Sequence, residues 1–304
     1  MLENLLVVCG QVATLFLMMG VGFALVKLDW LNSQGMSQMS TLLLYVVAPC
    51  IFVESFQQDG LPSLGVLATG VVAMGVYYLL FIPLTAVLFR KTQRQTGSVL
   101  RFGMLYGNSS FMGLPLLLLV LGPDAIIFGV ISFVLFSITQ WTQGVIIMGG
   151  GFSLKKSLLN PAVIGLLMGL PLLLFHWRLP TVVNTAVSFM ADLNSPLAMV
   201  IIGGQIAQAD FATTFTQRRL YLASAVKLIL IPGVLMLALL PLRLDPLLYC
   251  TSVILAATPV AGATSIFAQR FGQDTATAAQ LITLSTILSI ITLPVFAVLA
   301  QMVA

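Results

Sequence analysis

The sequence predicts an all-α polytopic membrane protein of ten transmembrane helices, arranged as two inverted five-helix repeats in which helices 4 and 9 are interrupted. Three observations carry that expectation. The 304 residues are 59% hydrophobic and 7% charged, with a mean hydropathy of +1.09, whereas water-soluble chains hold roughly 25% charged residues. The apolar residues run in stretches of about 20, which at 1.5 Å per residue cross a hydrocarbon core about 30 Å thick. Polar, helix-breaking sequences also recur at equivalent places in the two halves of the chain.

This composition excludes a soluble enzyme. The net charge of +4 comes from 13 Lys and Arg against 9 Asp and Glu. The cations stand singly and in pairs between apolar runs, so they set topology and are no nucleic-acid footprint. Cys9, Cys50 and Cys250 lie in or beside apolar runs without C-x-x-C spacing, which indicates neither a zinc site nor a disulfide framework. They read as small buried hydrophobes. Neither a metal nor a cofactor is expected. The opening segment carries Glu3, no cation and an apolar run too long for a signal peptide, so it reads as a first span.

Apolar segments fall near 5–26, 36–56, 64–89, 98–121, 124–148, 159–176, 181–207, 219–242, 247–269 and 276–302. The connections after odd spans carry Lys27, then Arg90, Lys91, Arg94 and Arg101, then Lys155 and Lys156, then Arg218 and Arg219, and finally Arg270. Those after even spans carry Glu54 and Asp59, Asp124, Arg178, and Arg243 with Asp245. The positive-inside rule makes the odd connections cytoplasmic and puts both termini on the outer side of a cytoplasmic membrane.

The two halves match at an offset of about 150 residues. Leu17-Met18-Met19-Gly20 meets Leu166-Leu167-Met168-Gly169, Pro49 meets Pro196, and the break at 107–110 meets that at 258–259. Five spans per copy is odd, so the second copy enters the membrane from the opposite side, an architecture of secondary transporters. The expected divisions are a first repeat over 1–148, a cytoplasmic linker over 149–158 and a second repeat over 159–304.

Span 4 holds Gly107-Asn108-Ser109-Ser110 and then Gly113; span 9 holds Thr258-Pro259-Val260-Ala261-Gly262. Thr258 before Pro259 is a helix-start pair, and Asn108 or Ser109 suits the N-cap of a second half-helix in span 4. Backbone groups freed at bilayer depth must face protein or a water-filled cavity. Two half-helix N-termini meeting near the midplane make a donor-rich spot suited to a carboxylate. The alternative is a pair of ordinary Pro and Gly kinks.

Asn108 to Leu116, the Asn160-Pro161 opening of span 6, Ser195-Pro196-Leu197-Ala198-Met199 with Gly203, Lys227 ahead of Pro232, and the segment around Pro259 together resemble the auxin efflux carrier family. That family includes plant PIN-type carriers and bacterial malonate and malate carriers, and is related in fold to bile acid sodium symporters. The resemblance implies a scaffold of spans 1, 2, 6 and 7, a transport unit of spans 3–5 and 8–10, and a homodimer formed through the scaffold. It implies a substrate site where spans 4 and 9 cross, with Asn108 as a substrate contact and Pro259 as the proline of the second crossover. Gly107 stands where plant members have a proline, and their long cytoplasmic loop is absent, which argues against auxin as substrate.

Asp192 is an acid inside a span, so two readings stand: a titrating group that couples protons, or a residue of the outer interface. Lys227 is expected to snorkel to the cytoplasmic interface; the alternative is a counter-charge for an anion. His176 reads as interfacial. Tyr45, Pro49, Gln140, Asn194 and Pro196 are candidates for cavity lining, Tyr45 with packing as its first reading. Trp141, Gln205, Gln280, Thr283, Ser285, Thr286 and Ser289 suit either a polar path or helix-to-helix hydrogen bonding. No acid lies inside spans 4, 5 and 8–10, which argues against an intramembrane aspartyl hydrolase, and a single His excludes an H-E-x-x-H metalloprotease. The expected activity is secondary transport of a small organic anion, a mono- or dicarboxylate, across a lipid bilayer by alternating access. H⁺ is expected as coupled ion ahead of Na⁺. The alternatives are an uncoupled uniporter or channel, then a receptor.

Overall fold

The computed structural model describes residues 2–57, 63–151, 161–175 and 177–304. Asp59, Asn160, His176 and the expected linker beyond Gly151, with Lys155 and Lys156, lie outside the described residues, as does the side chain of Cys9. The rest is all-helical, 83% helix, and among the described residues no β-strand forms.

The elements are α1 (Leu2–Lys27), α2 (Ser33–Ser55), α3 (Leu64–Val87), α4 (Arg94–Leu105), α5 (Ser109–Leu121), α6 (Pro123–Ile147) and α7 (Pro161–Phe175). They continue with α8 (Thr181–Asp192), α9 (Asn194–Ala207), the short α10 (Phe211–Thr214), α11 (Arg218–Leu242), α12 (Pro246–Ala257), α13 (Ala263–Arg270) and α14 (Thr275–Val303). Among the described residues, seven stretches are long and apolar enough to cross a membrane: α1, α2, α3, α6, α8 with α9, α11 and α14. Shorter apolar helices are α5, α7 and α12. Spans 4 and 9 of the sequence are each divided, α4 from α5 and α12 from α13.

Several acids outside the apolar runs start helices. Asp210, Asp245 and Asp274 accept backbone N–H groups of the first turns of α10, α12 and α14, where a carboxylate satisfies open donors and the helix dipole together. Burial pushes the Asp274 carboxyl up, but hydrogen bonds from the Thr277 N–H and hydroxyl and from the Thr96 hydroxyl outweigh it and hold the group below its ordinary value.

Helix packing depends on small residues at two crossings. α1 lies on α9 with backbones almost touching: a Cβ at Gly203 would stand 1.8 Å from the Met19 carbonyl oxygen, and one at Gly22 would stand 2.0 Å from that of Val200. α7 lies on the second half of α2, where Gly165 and Gly169 receive the rings of Phe52 and Phe56. Close approach of this kind substitutes for the hydrophobic drive that lipid removes. Elsewhere α3 packs on α6, α11 on α12, and α14 on both α12 and α4. Phe81, Phe102, Tyr106 and Phe128 are fully buried among them. Leu17, Leu79, Val182 and Ile291 face outward, each more than two-thirds exposed. An outer surface of that kind suits hydrocarbon, and the chain is an integral membrane protein.

Buried hydroxyls mostly serve their own helices. Ser55, Thr85, Ser252 and Thr286 donate to the carbonyl four residues earlier, where the sequence left bonds between helices open. Back-bonding of this type bends helices slightly. Four π-helical turns widen the helices further, at Leu43–Val47, Ser109–Gly113, Gln140–Gly144 and Val226–Leu230. Three of them sit just ahead of a proline, Pro49, Pro115 or Pro232. A proline nitrogen cannot donate to the carbonyl four residues back, and its ring crowds that carbonyl, so widening the turn relieves the clash.

Gly203→Ala and Gly22→Ala are expected to destabilise the protein by about 1–3 kcal/mol, because a methyl group must push two backbones apart. Gly20→Ala, with nothing within 4 Å of the new atom, should leave the Tm of the detergent-solubilised protein unchanged or raise it slightly. Equal effects at all three positions would refute the tight crossing.

Candidate functional site

α4 stops at Leu105 and α12 at Ala257, and the segments that follow run antiparallel past each other. Asn108 N–H donates to Pro259 O at 2.7 Å and Ala261 N–H donates to Tyr106 O at 3.1 Å. Gly107 thus faces Val260 in an isolated bridge. The Val260 N–H donates to Ser285 Oγ on α14 at 3.1 Å. Backbone groups released by one break are therefore taken up by the other, which is what an apolar surrounding demands. Gly107 leaves no room for a side chain, since a Cβ would stand 2.5 Å from Thr258 Oγ1 and 2.7 Å from Lys227 Nζ. Gly113 likewise yields its place to Leu255.

The first break is capped as expected: Asn108 Oδ1 accepts from Phe111 N–H at 3.3 Å. That bond fixes the amide's orientation and leaves its NH₂ end as a donor. The second break differs. Thr258 starts no helix; its hydroxyl donates back to Leu255 O at 2.7 Å and closes α12. Pro259 turns its carbonyl toward Asn108, so α13 begins only at Ala263, with Gly262 at its N-cap and no side-chain cap. Among the described residues the Gly262 and Ala263 N–H groups have no partner.

Beside the crossing lies a cavity of about 320 Å³. Gly107 to Phe111 form its floor with Ala261 and Gly262. Ser40 and Tyr45 of α2, Phe136, Gln140 and Trp141 of α6, and Gln205 of α9 form its walls. The remaining wall is one face of α13, made by Ala263, Ile266, Phe267 and Arg270. The Gln140 Nε2 donor is buried there without a partner.

The sequence candidates divide accordingly. Gly107, Asn108, Ser109, Ala261 and Gly262 line the cavity with Gln140 and Tyr45; Tyr45 is exposed rather than packed. Gly113, Thr258, Pro259 and Val260 are buried behind it. Pro49 lies instead against Gly165 of α7, and Pro196 is exposed on α9, so neither lines the cavity. Asn194 and Asp192 line a second cavity of about 300 Å³, with Glu54 and Pro115, which shares no lining residue with the first. Asp192 is exposed there.

Lys227 does not snorkel. It is fully buried, and its Nζ donates to Ala256 O at 2.9 Å. Among the described residues no carboxylate pairs with it. The π-helical turn that contains it directs the side chain inward, toward Gly107, and a space of about 20 Å³ beside the ammonium is lined by Ser109 and Ser132. Ser132 Oγ has no partner, so the space suits one water. The Lys227 amine thus stands directly behind the crossing.

Arg270, read from sequence only as a topology residue, is the cation on the cavity wall. Its guanidinium lies over the Trp141 ring, 5.6 Å from the centroid. The signal was present in the spacing: Ala263, Ile266, Phe267 and Arg270 follow i, i+3, i+4, i+7, one helical face. It becomes readable only once the half-helix is known to start at Ala263 and not at Pro259.

The family model described as "Membrane transport protein" matches residues 7–151 and 150–297. The chain belongs to that family, the auxin efflux carriers. As a member of this transport family it is a membrane transporter and not an enzyme. It is 24% identical over 302 residues to a protein of Rhizobium meliloti (strain 1021) named "Putative malonate transporter", covering 94% of this chain and 93% of that one.

Proposed function

We propose that this transporter is a secondary carrier of a small organic anion, a mono- or dicarboxylate, which it moves by alternating access. The observation that carries this proposal is the meeting at one cavity of the Asn108 amide and the start of α13, where the Gly262 and Ala263 N–H groups have no partner among the described residues. Donors of this kind are costly to leave unmatched in an apolar surrounding, and a carboxylate accepts all of them. The name of the Rhizobium meliloti relative is in keeping with a carboxylate substrate.

The chain is proposed to cross the membrane ten times as two inverted repeats, with α1, α2 and α7–α9 as scaffold and the remaining helices as the moving unit. Two facts support the repeats. The packing of α1 on α9 has its counterpart in that of α7 on α2, the pair obtained by exchanging first and second copies. The family match divides at residues 150–151, within the glycine run that opens the expected linker. The cavity is lined from both units, as a site exposed alternately to the two sides requires. A homodimer through the apolar faces of α7 and α8, which expose Leu167, Met168, Val182 and Phe189, belongs to the same proposal.

In proteoliposomes, Asn108→Ala should weaken anion binding by about 1–3 kcal/mol while its Tm without ligand stays within a degree or two of wild type. Wild-type affinity in this variant would remove the crossing from the site. Topology is tested on a background lacking the native cysteines: Gly151→Cys should label only from the cytoplasmic side and Met302→Cys only from outside, and the reverse pattern would overturn the inverted arrangement. For coupling, uptake should follow an imposed pH gradient and lose that dependence in Asp192→Asn. Uptake that follows a Na⁺ gradient instead would exclude proton coupling through Asp192, which would have to act from the second cavity.

A further inference from the structure

The cavity lining holds hydrogen-bond donors at two separate places. At one end are Asn108 and the start of α13. At the other is Arg270, seven residues along the same helix, about 10 Å at 1.5 Å per residue. Side chains on a helix lean back toward its N-terminus, which shortens the span that a ligand held at both places must bridge. Ile266 and Phe267 form the apolar stretch between the two ends. Among the described residues lining the cavity, Arg270 is the one that carries a charge, and no carboxylate pairs with it. Its guanidinium lies near the rings of Trp141 and Phe271, at 5.6 and 6.0 Å. Stacking on an indole leaves the guanidinium edge open to the planar, bidentate bonding that suits a carboxylate.

We propose that Arg270 determines specificity by holding the distal carboxylate of a short dicarboxylate whose other carboxylate sits at Asn108 and the α13 N-terminus. It rests on the assignment of the cavity as the anion site. A purely structural Arg270, closing the helix dipole and anchoring α13 beside Trp141, would stabilise the fold equally whatever ligand is present.

The test compares diacids with their monoamides, which keep size and lose one charge. Binding of malonate, malonamate, succinate and succinamate is measured calorimetrically on the purified protein and on Arg270→Gln and Arg270→Lys, after Tm without ligand has shown each variant folded. Wild type should prefer at least one diacid over its monoamide by tenfold or more. Arg270→Gln should reduce that preference to within about twofold, by weakening the diacid and leaving the monoamide within about twofold of its wild-type Kd. Arg270→Lys, which keeps the charge and loses the fork, should fall between. A Gln variant that keeps the preference, or weakens diacid and monoamide alike, overturns the role of Arg270, as does a wild type that binds both equally; in each case the cavity still stands as the anion site. If none of the four compounds, nor any other carboxylate, binds wild type, the assignment of the cavity falls and this inference with it.

Discussion

The structure depends on the exchange of backbone hydrogen bonds between Tyr106–Asn108 and Pro259–Ala261. A helix cannot be broken in hydrocarbon unless the freed N–H and C=O groups find partners, since each unmatched group costs several kcal/mol. One break alone would leave that cost standing. Two breaks laid antiparallel satisfy each other, and Ser285 of α14 takes the Val260 N–H that the pairing leaves over. The requirement for a close crossing then selects Gly107, against which Thr258 and Lys227 pack, and sets the start of α13 at Ala263. Donors remain open where α13 begins, and those donors are what a carboxylate can use.

The π-helical turns connect the proline pattern to the same place. Leu43–Val47 carries Tyr45, Ser109–Gly113 follows Asn108, Gln140–Gly144 carries Gln140 and Trp141, and Val226–Leu230 carries Lys227. Each widened turn shifts helical register by a residue and so presents side chains that a regular helix would aim elsewhere. Lys227 shows the effect best: read on a regular helix near a charged end it belongs at the interface, yet it is buried against Ala256. The crossing of α1 and α9 has the opposite quality, since the near-contact at Gly22 and Gly203 leaves no room for such adjustment.

Much of this was legible in the sequence. Apolar run length located the helical segments, and the polar residues inside two such runs located both breaks to within a residue or two. Asn108 as an N-cap follows from its type and position. The role of Thr258 did not, because Thr before Pro reads as a helix start by local chemistry, whereas here the Pro259 carbonyl is turned toward Asn108 from a segment about 150 residues away in the chain. Pro49, Asn194 and Pro196 were placed at the cavity on the strength of their residue types, but which face of a helix meets a cavity is a tertiary fact. Arg270 was passed over for the complementary reason: charge bias explains a cation near a helix end so readily that its helical face goes unread.

The central claim is that the crossing itself receives the anion, and backbone hydrogen exchange in the purified protein tests it most directly. The Gly262 and Ala263 amides, without partners in the unliganded protein, should become protected when a carboxylate substrate is added, together with Ser109 to Phe111, while segments lining the second cavity around Asp192 stay unchanged. Protection confined to the second cavity, or spread evenly over all helices with none concentrated at the two breaks, would contradict the account.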